Sequence, residues 1–229
     1  MRNLVLNGGP HPFDQTTPRL VRMLTDSRIA STVHDDIEEG LDVLSRDPHD
    51  LLTVHCLRWT MLQSPKYAPL QATWAYVPSE AARAAIIAHL NRGGGLLGLH
   101  TAAISFDTWP EWRECLGARW SWGVSHHQPL GTVEVSIDRH DHPVTRGVEP
   151  FTCEDEAYAQ MDVAPGAEVL ARARAGEDAH AHAAVLVQEG RFPGRTAYVS
   201  LGHGASTFEH PDYRRLVSQA AAWCCRTAT

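Results

Sequence analysis

Histidine is the residue most able to do chemistry in this sequence, which contains 14 of them. Four follow or end predicted apolar strands: His11, His55, His100 and His203. Imidazole nitrogens on converging loops can hold a divalent transition metal such as zinc, and they can also hydrogen-bond a polar substrate. A single histidine is more often a surface or packing residue. The presence of a histidine at the end of several strands therefore favours a binding or catalytic site.

Acidic and aromatic side chains accompany these histidines. Asp155 and Glu156 could supply an oxygen ligand to a metal or act as a general base. Trp120 and Trp122 precede the histidine pair His126 and His127. Aromatic faces beside polar donors suit a carbohydrate, because its C–H face stacks on indole while its hydroxyls form hydrogen bonds. A packed tryptophan pair under a loop explains that segment equally well. Metal binding and sugar binding are therefore both open.

The elements that must position these residues alternate between strands and helices. Strands are predicted at residues 3–6, 29–33, 50–55 and 96–99. Helices are predicted after an N-cap at Thr17 with Pro18 in the first helical position, at 37–44, and at 79–93 with Ser79 as the N-cap. Strands that are apolar on both faces and alternate with helices indicate a parallel, doubly wound sheet. Ligands of such sheets bind outside the carboxyl ends of the strands, where the histidines lie.

The pattern changes after residue 120. Alternating segments at 132–137 and 169–173 predict strands, and 184–187 with 196–200 predict an antiparallel pair. A helix is predicted at 211–226. The aromatic and proline-bearing segment 59–78 is typical of a lid or binding loop. We expect the second half to extend the same sheet in antiparallel fashion, so that residues 1–229 form a single domain.

Composition narrows the function classes. A formal charge of −7 gives no reason to expect nucleic acid or a membrane surface as a partner, and a small solute is the better expectation. The first residues contain too short an apolar run for a signal peptide, so we expect a cytoplasmic protein. The five cysteines are odd in number and show no C-x-x-C spacing, which predicts reduced, non-catalytic thiols.

Five motifs occur in the order found in one known family. They are GGGLLGLH at 93–100, WPEW at 109–112, HP with TRG at 142–147, DEAY at 155–158 and G-R-x-x-Y-x-x-L-G-H at 194–203. Together they resemble ThuA-like (trehalose utilisation) proteins over about residues 2 to 226. The resemblance implies a flavodoxin-like, class I glutamine amidotransferase-like three-layer α/β sandwich, which agrees with the strand pattern.

The resemblance also implies what the chain lacks. His100 stands at the strand-to-helix turn where the amidotransferases carry a nucleophilic cysteine, and His203 is followed by Gly204 and Ala205 instead of the x-Glu of their triad. Glutaminase activity is therefore not expected. Residues 184–187 also depart from the ThuA-like pattern, in which we would expect proline and tryptophan.

ThuA-like proteins are associated with the use of trehalose and related disaccharides, where sugars are oxidised to 3-keto derivatives. The resemblance implies a small-molecule carbohydrate partner and two function classes. The first is an isomerase, lyase or hydrolase that acts on a (keto-)glycoside by acid–base chemistry, with or without a metal. The alternative is a non-catalytic carbohydrate-binding or regulatory protein. The oligomeric state is left open, including a homo-oligomer.

The candidate residues fall into three groups. The catalytic candidates are His100, His203 and Glu156, and the metal candidates are His100, His127 and His203. The substrate-binding candidates are His11, Trp59, Trp122, His126, His127, Asp155 and Tyr158. We expect the imidazoles of His100 and His203 to lie within one ligand's reach of each other, because both strands end at the same edge.

Overall fold

The computed structural model describes residues 1–176 and 178–226. Their strands, in chain order, are β1 (Arg2–Gly8), β2 (Ala30–His34), β3 (Leu51–Cys56), β4 (Gly95–Leu99), β5 (Ala118–Arg119), β6 (His126–His127), β7 (Gly131–Ile137), β8 (Phe151–Asp155), β9 (Tyr158–Ala159), β10 (Asp162–Val163), β11 (Glu168–Ala175), β12 (His182–Gln188) and β13 (Thr196–Val199). Nine of these strands form one sheet, in the order β2-β1-β3-β4-β13-β12-β11-β7-β8.

The sheet has a parallel half and an antiparallel half. The pairs β1–β2, β1–β3, β3–β4 and β4–β13 are parallel. From β13 onwards, the pairs β12–β13, β11–β12, β7–β11 and β7–β8 are antiparallel. The prediction of a parallel sheet with an antiparallel extension is confirmed. The carboxyl ends of β1, β3, β4 and β13 meet at one edge, because these strands run in the same direction.

Helices cover both faces of the parallel half. They are α1 (Phe13–Asp26), α2 (Ile37–Arg46), α3 (Ala68–Trp74), α4 (Glu80–Asn91), α5 (Trp112–Leu116), α6 (Ala205–Glu209) and α7 (Pro211–Cys224), with 3₁₀ turns at Pro65–Tyr67 and His100–Ala103. Ser79 caps α4 by accepting a hydrogen bond from the Ala82 N–H, as the sequence predicts. Asp36 caps α2 through the Glu39 N–H.

Two hydrophobic cores lie on opposite faces of the sheet. Successive strand residues point to opposite faces, so Leu97 packs with Leu20 and Val217 of α1 and α7, whereas Leu96 packs with Ile86 of α4. The resulting arrangement is helices, sheet, helices. The three-layer α/β fold expected from the sequence is therefore present.

The predicted start of α1 is wrong. The helix begins at Phe13, and Pro18 lies inside it instead of in its first turn. The Thr17 hydroxyl donates to Asn7 Oδ1 at 2.6 Å and caps nothing. The buried positions Phe13, Thr16 and Leu20 already follow the helical period, and their burial outweighs the backbone hydrogen bond that a proline removes.

Two strands of the nine-stranded sheet also differ from the predictions. The sequence did not predict β8, although its residues alternate between buried and exposed positions and pair with β7 in the structure. β2 is an edge strand with mostly half-buried or exposed side chains, not a buried one. Among the described residues, the structure contains no helix whose length and apolar character would allow it to cross a membrane.

Candidate active site

Three histidines and one glutamate meet at the carboxyl edge of the parallel strands. One potential ligand atom from each of His11, His100, Glu156 and His203 can be chosen so that all four lie within 4.8 Å of one another. Glu156 Oε2 lies 3.2 Å from His203 Nδ1 and 3.7 Å from His100 Nε2. The ring centroid of His11 lies 4.3 Å from that of His203 and 5.0 Å from that of His100. We call these four residues the His/Glu cluster.

His100 follows β4 directly and forms the floor of the cluster. Its backbone φ is +43°, a conformation that side chains with a Cβ rarely adopt, and its side chain is 1% exposed. Its Nδ1 lies 2.7 Å from the Ser200 carbonyl oxygen. Because a carbonyl only accepts, Nδ1 carries the proton and the lone pair of Nε2 faces the cluster. The Tyr158 hydroxyl lies 3.2 Å from that Nε2.

His203 and Glu156 are held by the buried carboxylate of Asp155. Asp155 Oδ2 accepts hydrogen bonds from the Gly202 N–H at 2.8 Å and the Thr207 hydroxyl at 2.6 Å, and Oδ1 accepts from the backbone N–H of Glu156 at 2.8 Å and of His203 at 3.2 Å. Burial raises the pKa of Asp155, although these hydrogen bonds oppose the rise. The carboxylate therefore fixes the backbone of two cluster residues from below.

His11 lies on the loop after β1, which packs closely on the segment after β3. A Cβ on Gly9, whose φ is +133°, would lie 2.4 Å from the Leu57 carbonyl oxygen. The Leu57 N–H also donates to the Gly8 carbonyl at 2.9 Å. Only glycine permits this approach, and it brings the following His11 over the end of the sheet.

The cluster contains both neutral and charged groups. Burial, together with the nearby imidazoles, lowers the pKa of His11 to about 2, and burial lowers the pKa of His100 to about 4. Burial opposes the charge of Glu156, but its contact with His203 and the neighbouring imidazoles hold its pKa below the ordinary value. Burial likewise opposes the charge of His203, but Glu156 raises its pKa. At neutral pH, His11 and His100 therefore offer lone pairs beside an ionised carboxylate.

An aromatic cleft of about 230 Å³ opens above the cluster. Trp59 and Trp122 lie 6.2 Å apart between ring centroids and are nearly parallel, at 22°. Other hollows in the described chain are larger, but this one is lined by His11, Glu156 and His203 of the cluster. Its wall consists of Pro10, His11, Leu57, Trp59, Tyr67, Leu70, Thr101, Ile104, Trp120, Trp122, His127, Glu156, Tyr158 and His203. Flat rings and hydrogen-bonding groups thus share one concave surface.

The sequence model of the ThuA family, described as trehalose utilisation, matches residues 10–224. The chain belongs to this family. A search of curated proteins finds no significant match to the chain.

Several solved structures have the same fold as this chain. A ThuA-like protein from Parabacteroides merdae gives a TM-score of 0.75 at 17% identity, covering 100% of this chain and 91% of that one. A ThuA-like protein from Bacteroides uniformis gives a TM-score of 0.67 at 20% identity, covering 98% of this chain and 91% of that one. A glutamine amidotransferase from Thermotoga maritima gives 0.59 at 10% identity, covering 99% of each chain. At these identities, the similarity establishes the fold alone.

Most of the predicted site residues come together in this ThuA chain. His11, Trp59, Trp122, His127, Glu156, Tyr158 and His203 line the cleft, and His100 lies beneath it. The centroids of His100 and His203 are 5.5 Å apart. The cleft wall also contains Trp120, which the sequence offered beside Trp122 as an aromatic face for a sugar, and Tyr67, which lies in the predicted lid or binding loop. The segment 59–78 does border the cleft, through Trp59, Tyr67 and Leu70.

Two predicted substrate-binding residues do not reach the cleft. Adjacent strand residues point to opposite faces, so His127 faces Glu156 whereas the exposed His126 lines a separate hollow with Gln128. Asp155, next to Glu156, points below the site. The predicted metal set also changes, because His11 and Glu156 stand in the cluster where His127 was expected. The described cysteines are free, and none lines the cleft.

Proposed function

We propose that the protein is an enzyme that acts on a keto-glycoside or a closely related carbohydrate by acid–base chemistry, assisted by a divalent metal ion such as zinc. The observation that carries this proposal is the His/Glu cluster at the base of the aromatic cleft. Neutral imidazoles, a carboxylate and flat aromatic faces are the groups needed to bind a metal, move a proton and hold a sugar ring.

The spacing of the cluster supports a metal ion. Zinc bonds to nitrogen and oxygen are about 2.0–2.1 Å long, so two ligand atoms of a tetrahedral site lie about 3.3 Å apart. The distances from Glu156 Oε2 to His203 Nδ1 and His100 Nε2, 3.2 and 3.7 Å, are close to that value. His203 Nδ1 is buried and has no well-aligned hydrogen-bond partner. A nitrogen in that position is suited to bind a cation.

The groups behind the cluster also support it. Metal-binding histidines usually donate their second ring N–H to a carbonyl or carboxylate, which fixes the tautomer and the ring orientation. His100 makes such a bond to Ser200 in the structure. Asp155 accepts hydrogen bonds from the backbone N–H groups of two other candidate ligands, Glu156 and His203, and so holds their backbone in place. The cluster is therefore preorganised and would need little rearrangement on binding an ion.

The two oxygens of Glu156 have different surroundings, which suggests a division of roles. Oε2 faces His100 and His203, whereas Oε1 lies 3.5 Å from Nδ1 of the partly exposed His127. We assign Oε2 to the metal and Oε1 to proton transfer. Oε1 would take the proton from the carbon next to a sugar ketone, while the electron pair of that C–H bond moves onto the ketone oxygen. A bound divalent ion would stabilise the resulting enediolate.

The first experiment measures metal binding in protein purified without chelator or His-tag. Elemental analysis is expected to find about one zinc or similar divalent ion per chain, and His100→Gln is expected to lower metal affinity by at least a hundredfold. His180→Gln is the matched control, because His180 is exposed and belongs neither to the cluster nor to the cleft wall. Loss of metal in both variants, or in neither, would contradict the assignment of the ion to the cluster.

The second experiment measures turnover of 3-ketotrehalose by the metal-loaded enzyme, with product analysis by mass spectrometry and NMR. Glu156→Gln is expected to abolish turnover, whereas Glu154→Gln is expected to keep it because Glu154 is exposed and belongs neither to the His/Glu cluster nor to the cleft wall. Tight sugar binding without turnover in the wild type would refute the enzyme and leave the carbohydrate-binding protein as the function.

A further inference from the structure

A second hollow of about 300 Å³ lies against the same tryptophans as the cleft. Ile104, Trp120 and Trp122 line both cavities, so the two spaces are neighbours. The rest of its wall includes Asp107, Arg119 and Ser121. We call it the outer hollow.

We propose that the outer hollow binds a second sugar ring, so that the enzyme takes a disaccharide or a larger glycoside with its reacting ring in the cleft. This inference rests on the proposed function, because it assigns the remainder of the same substrate. It names a binding site distinct from the His/Glu cluster, and it contains none of the cluster's four residues.

The side chains of the outer hollow are suited to a sugar. Trp120 and Trp122 are partly exposed, and their ring centroids lie 6.2 Å apart at an angle of 64°. Each ring can offer one face to the C–H groups of a pyranose. Trp122 Nε1 is a buried donor without a partner, and the Ser121 hydroxyl makes no hydrogen bond within the described residues. Such groups can pair with sugar hydroxyls after a small side-chain movement.

Arg119 contributes donors without making the hollow an anion site. Its Nε lies 3.0 Å from Asp162 Oδ2, which offsets its charge. Neither of its Nη atoms has a hydrogen-bond partner among residues 1–176 and 178–226. Asp107 adds a second negative charge to the wall. A neutral, hydroxyl-rich ligand therefore fits this surface better than a phosphate or carboxylate does.

The hollow is also tied to the segment that borders the cleft. Asp107 accepts hydrogen bonds from the Thr60 N–H at 3.0 Å, the Thr60 hydroxyl at 2.5 Å and the Gln63 amide at 2.7 Å. The Gln63 side chain in turn accepts from Trp59 Nε1 at 3.0 Å. One hydrogen-bonded chain thus runs from the wall of the outer hollow to the wall of the cleft, so the two cavities share a rigid boundary.

The test compares a two-ring ligand with a one-ring ligand by calorimetry on the metal-loaded protein. The probes are trehalose and methyl α-glucoside, which lack the ketone, so the metal-loaded wild-type protein consumes neither. We expect the disaccharide to bind about tenfold more tightly, which corresponds to about 1.4 kcal/mol. Ser121→Phe, which fills the hollow, and Arg119→Met, which removes its free donors, should each bring that ratio towards one.

Matched controls separate this effect from general damage. Ser45→Phe places the same ring on an exposed face of α2, and Arg172→Met removes a similarly exposed arginine whose Nε lies 2.8 Å from Asp138. Both controls should keep the tenfold ratio, and all four variants should keep the metal content and the affinity for the one-ring probe. Equal affinities for the two probes, or an unchanged ratio in Ser121→Phe and Arg119→Met, would overturn the outer hollow alone. Failure of both probes to bind would overturn the proposed function with it.

Discussion

Asp155→Asn tests whether a buried carboxylate holds the site together. All groups facing its two oxygens are donors, apart from the Thr207 hydroxyl, which can also accept. The asparagine amide nitrogen cannot accept a hydrogen bond. If it takes the position of Oδ2, the Gly202 N–H loses its acceptor, and if it takes the position of Oδ1, the Glu156 N–H does. At least one buried backbone donor is therefore left unpaired in either orientation.

The magnitude follows from that unpaired donor. An unsatisfied buried hydrogen-bonding group costs about 1–3 kcal/mol, so the free energy of unfolding should fall by that amount. The backbone of Glu156 and His203 should shift as well, and changes behind metal ligands typically lower metal affinity about 10- to 100-fold. Urea unfolding of the metal-free protein measures the first effect, and zinc competition titration of the folded protein measures the second.

Asp138→Asn is the matched control for Asp155→Asn. Its carboxylate forms an ion pair with Arg172 at the surface, where the side chain of Asp138 is 35% exposed and that of Arg172 is 43% exposed. Such a pair contributes about 0–1 kcal/mol, so the control should keep both its stability and its metal affinity. The positioning role of Asp155 would be refuted if Asp155→Asn lost stability but bound zinc as tightly as the wild type. Wild-type stability would refute the hydrogen-bond argument itself.

Three further predictions concern other parts of the chain. Burial lowers the pKa of His89 to about 4, and Arg92 donates to its Nδ1 at 3.0 Å. Below about pH 6.5 this imidazole takes up a proton in the unfolded chain but not in the folded chain, so between pH 7 and pH 4 it contributes a loss of up to about 3 kcal/mol to the free energy of unfolding. Because the pKa values of His11 and His100 are lowered as well, urea unfolding should show a larger total loss, and His89→Gln should reduce that loss by about 3 kcal/mol. Gly194→Ala would place a Cβ 2.0 Å from the Gly94 carbonyl oxygen and should cost about 1–3 kcal/mol or more in thermal denaturation, whereas Gly131→Ala, with 3.6 Å of clearance, should cost less than about 1 kcal/mol. In native protein a thiol reagent should modify the half-buried Cys225 first and leave metal binding intact. The other four thiols are buried, and their rapid reaction would contradict their packing role; they are Cys56, Cys115, Cys153 and Cys224.

Much of the fold could be predicted because its signals are local. The apolar runs that became β1, β3 and β4 are continuous, and Ser79 marks the start of α4 by its own side chain. The errors arose where local and tertiary preferences disagree. Pro18 is a strong signal for a helix start, yet the core contacts of α1 place it inside the helix. β8 has a weak five-residue pattern and depends on its pairing with β7.

The candidate site divides in the same way. The strands that precede His11, His100 and His203 end at one edge of a parallel sheet, and these strands can be inferred from hydrophobic periodicity. The choice between neighbouring residues cannot be inferred. His127 faces the cleft and His126 does not, and Glu156 joins the cluster while Asp155 lies below it. A shift of one residue in a strand turns every side chain to the other face.

The sequence by itself determined the family, the order of the elements and the set of residues able to do chemistry, because residue type and local period are properties of the chain alone. Only the tertiary structure decided which of those residues form the His/Glu cluster, and that His11 and Glu156 belong to it. It also decided their charges, since the neutral His100 and the ionised Glu156 depend on burial and on neighbours distant in sequence. Distances of a few ångströms between residues about 50 to 190 positions apart are set by packing, which no local pattern records.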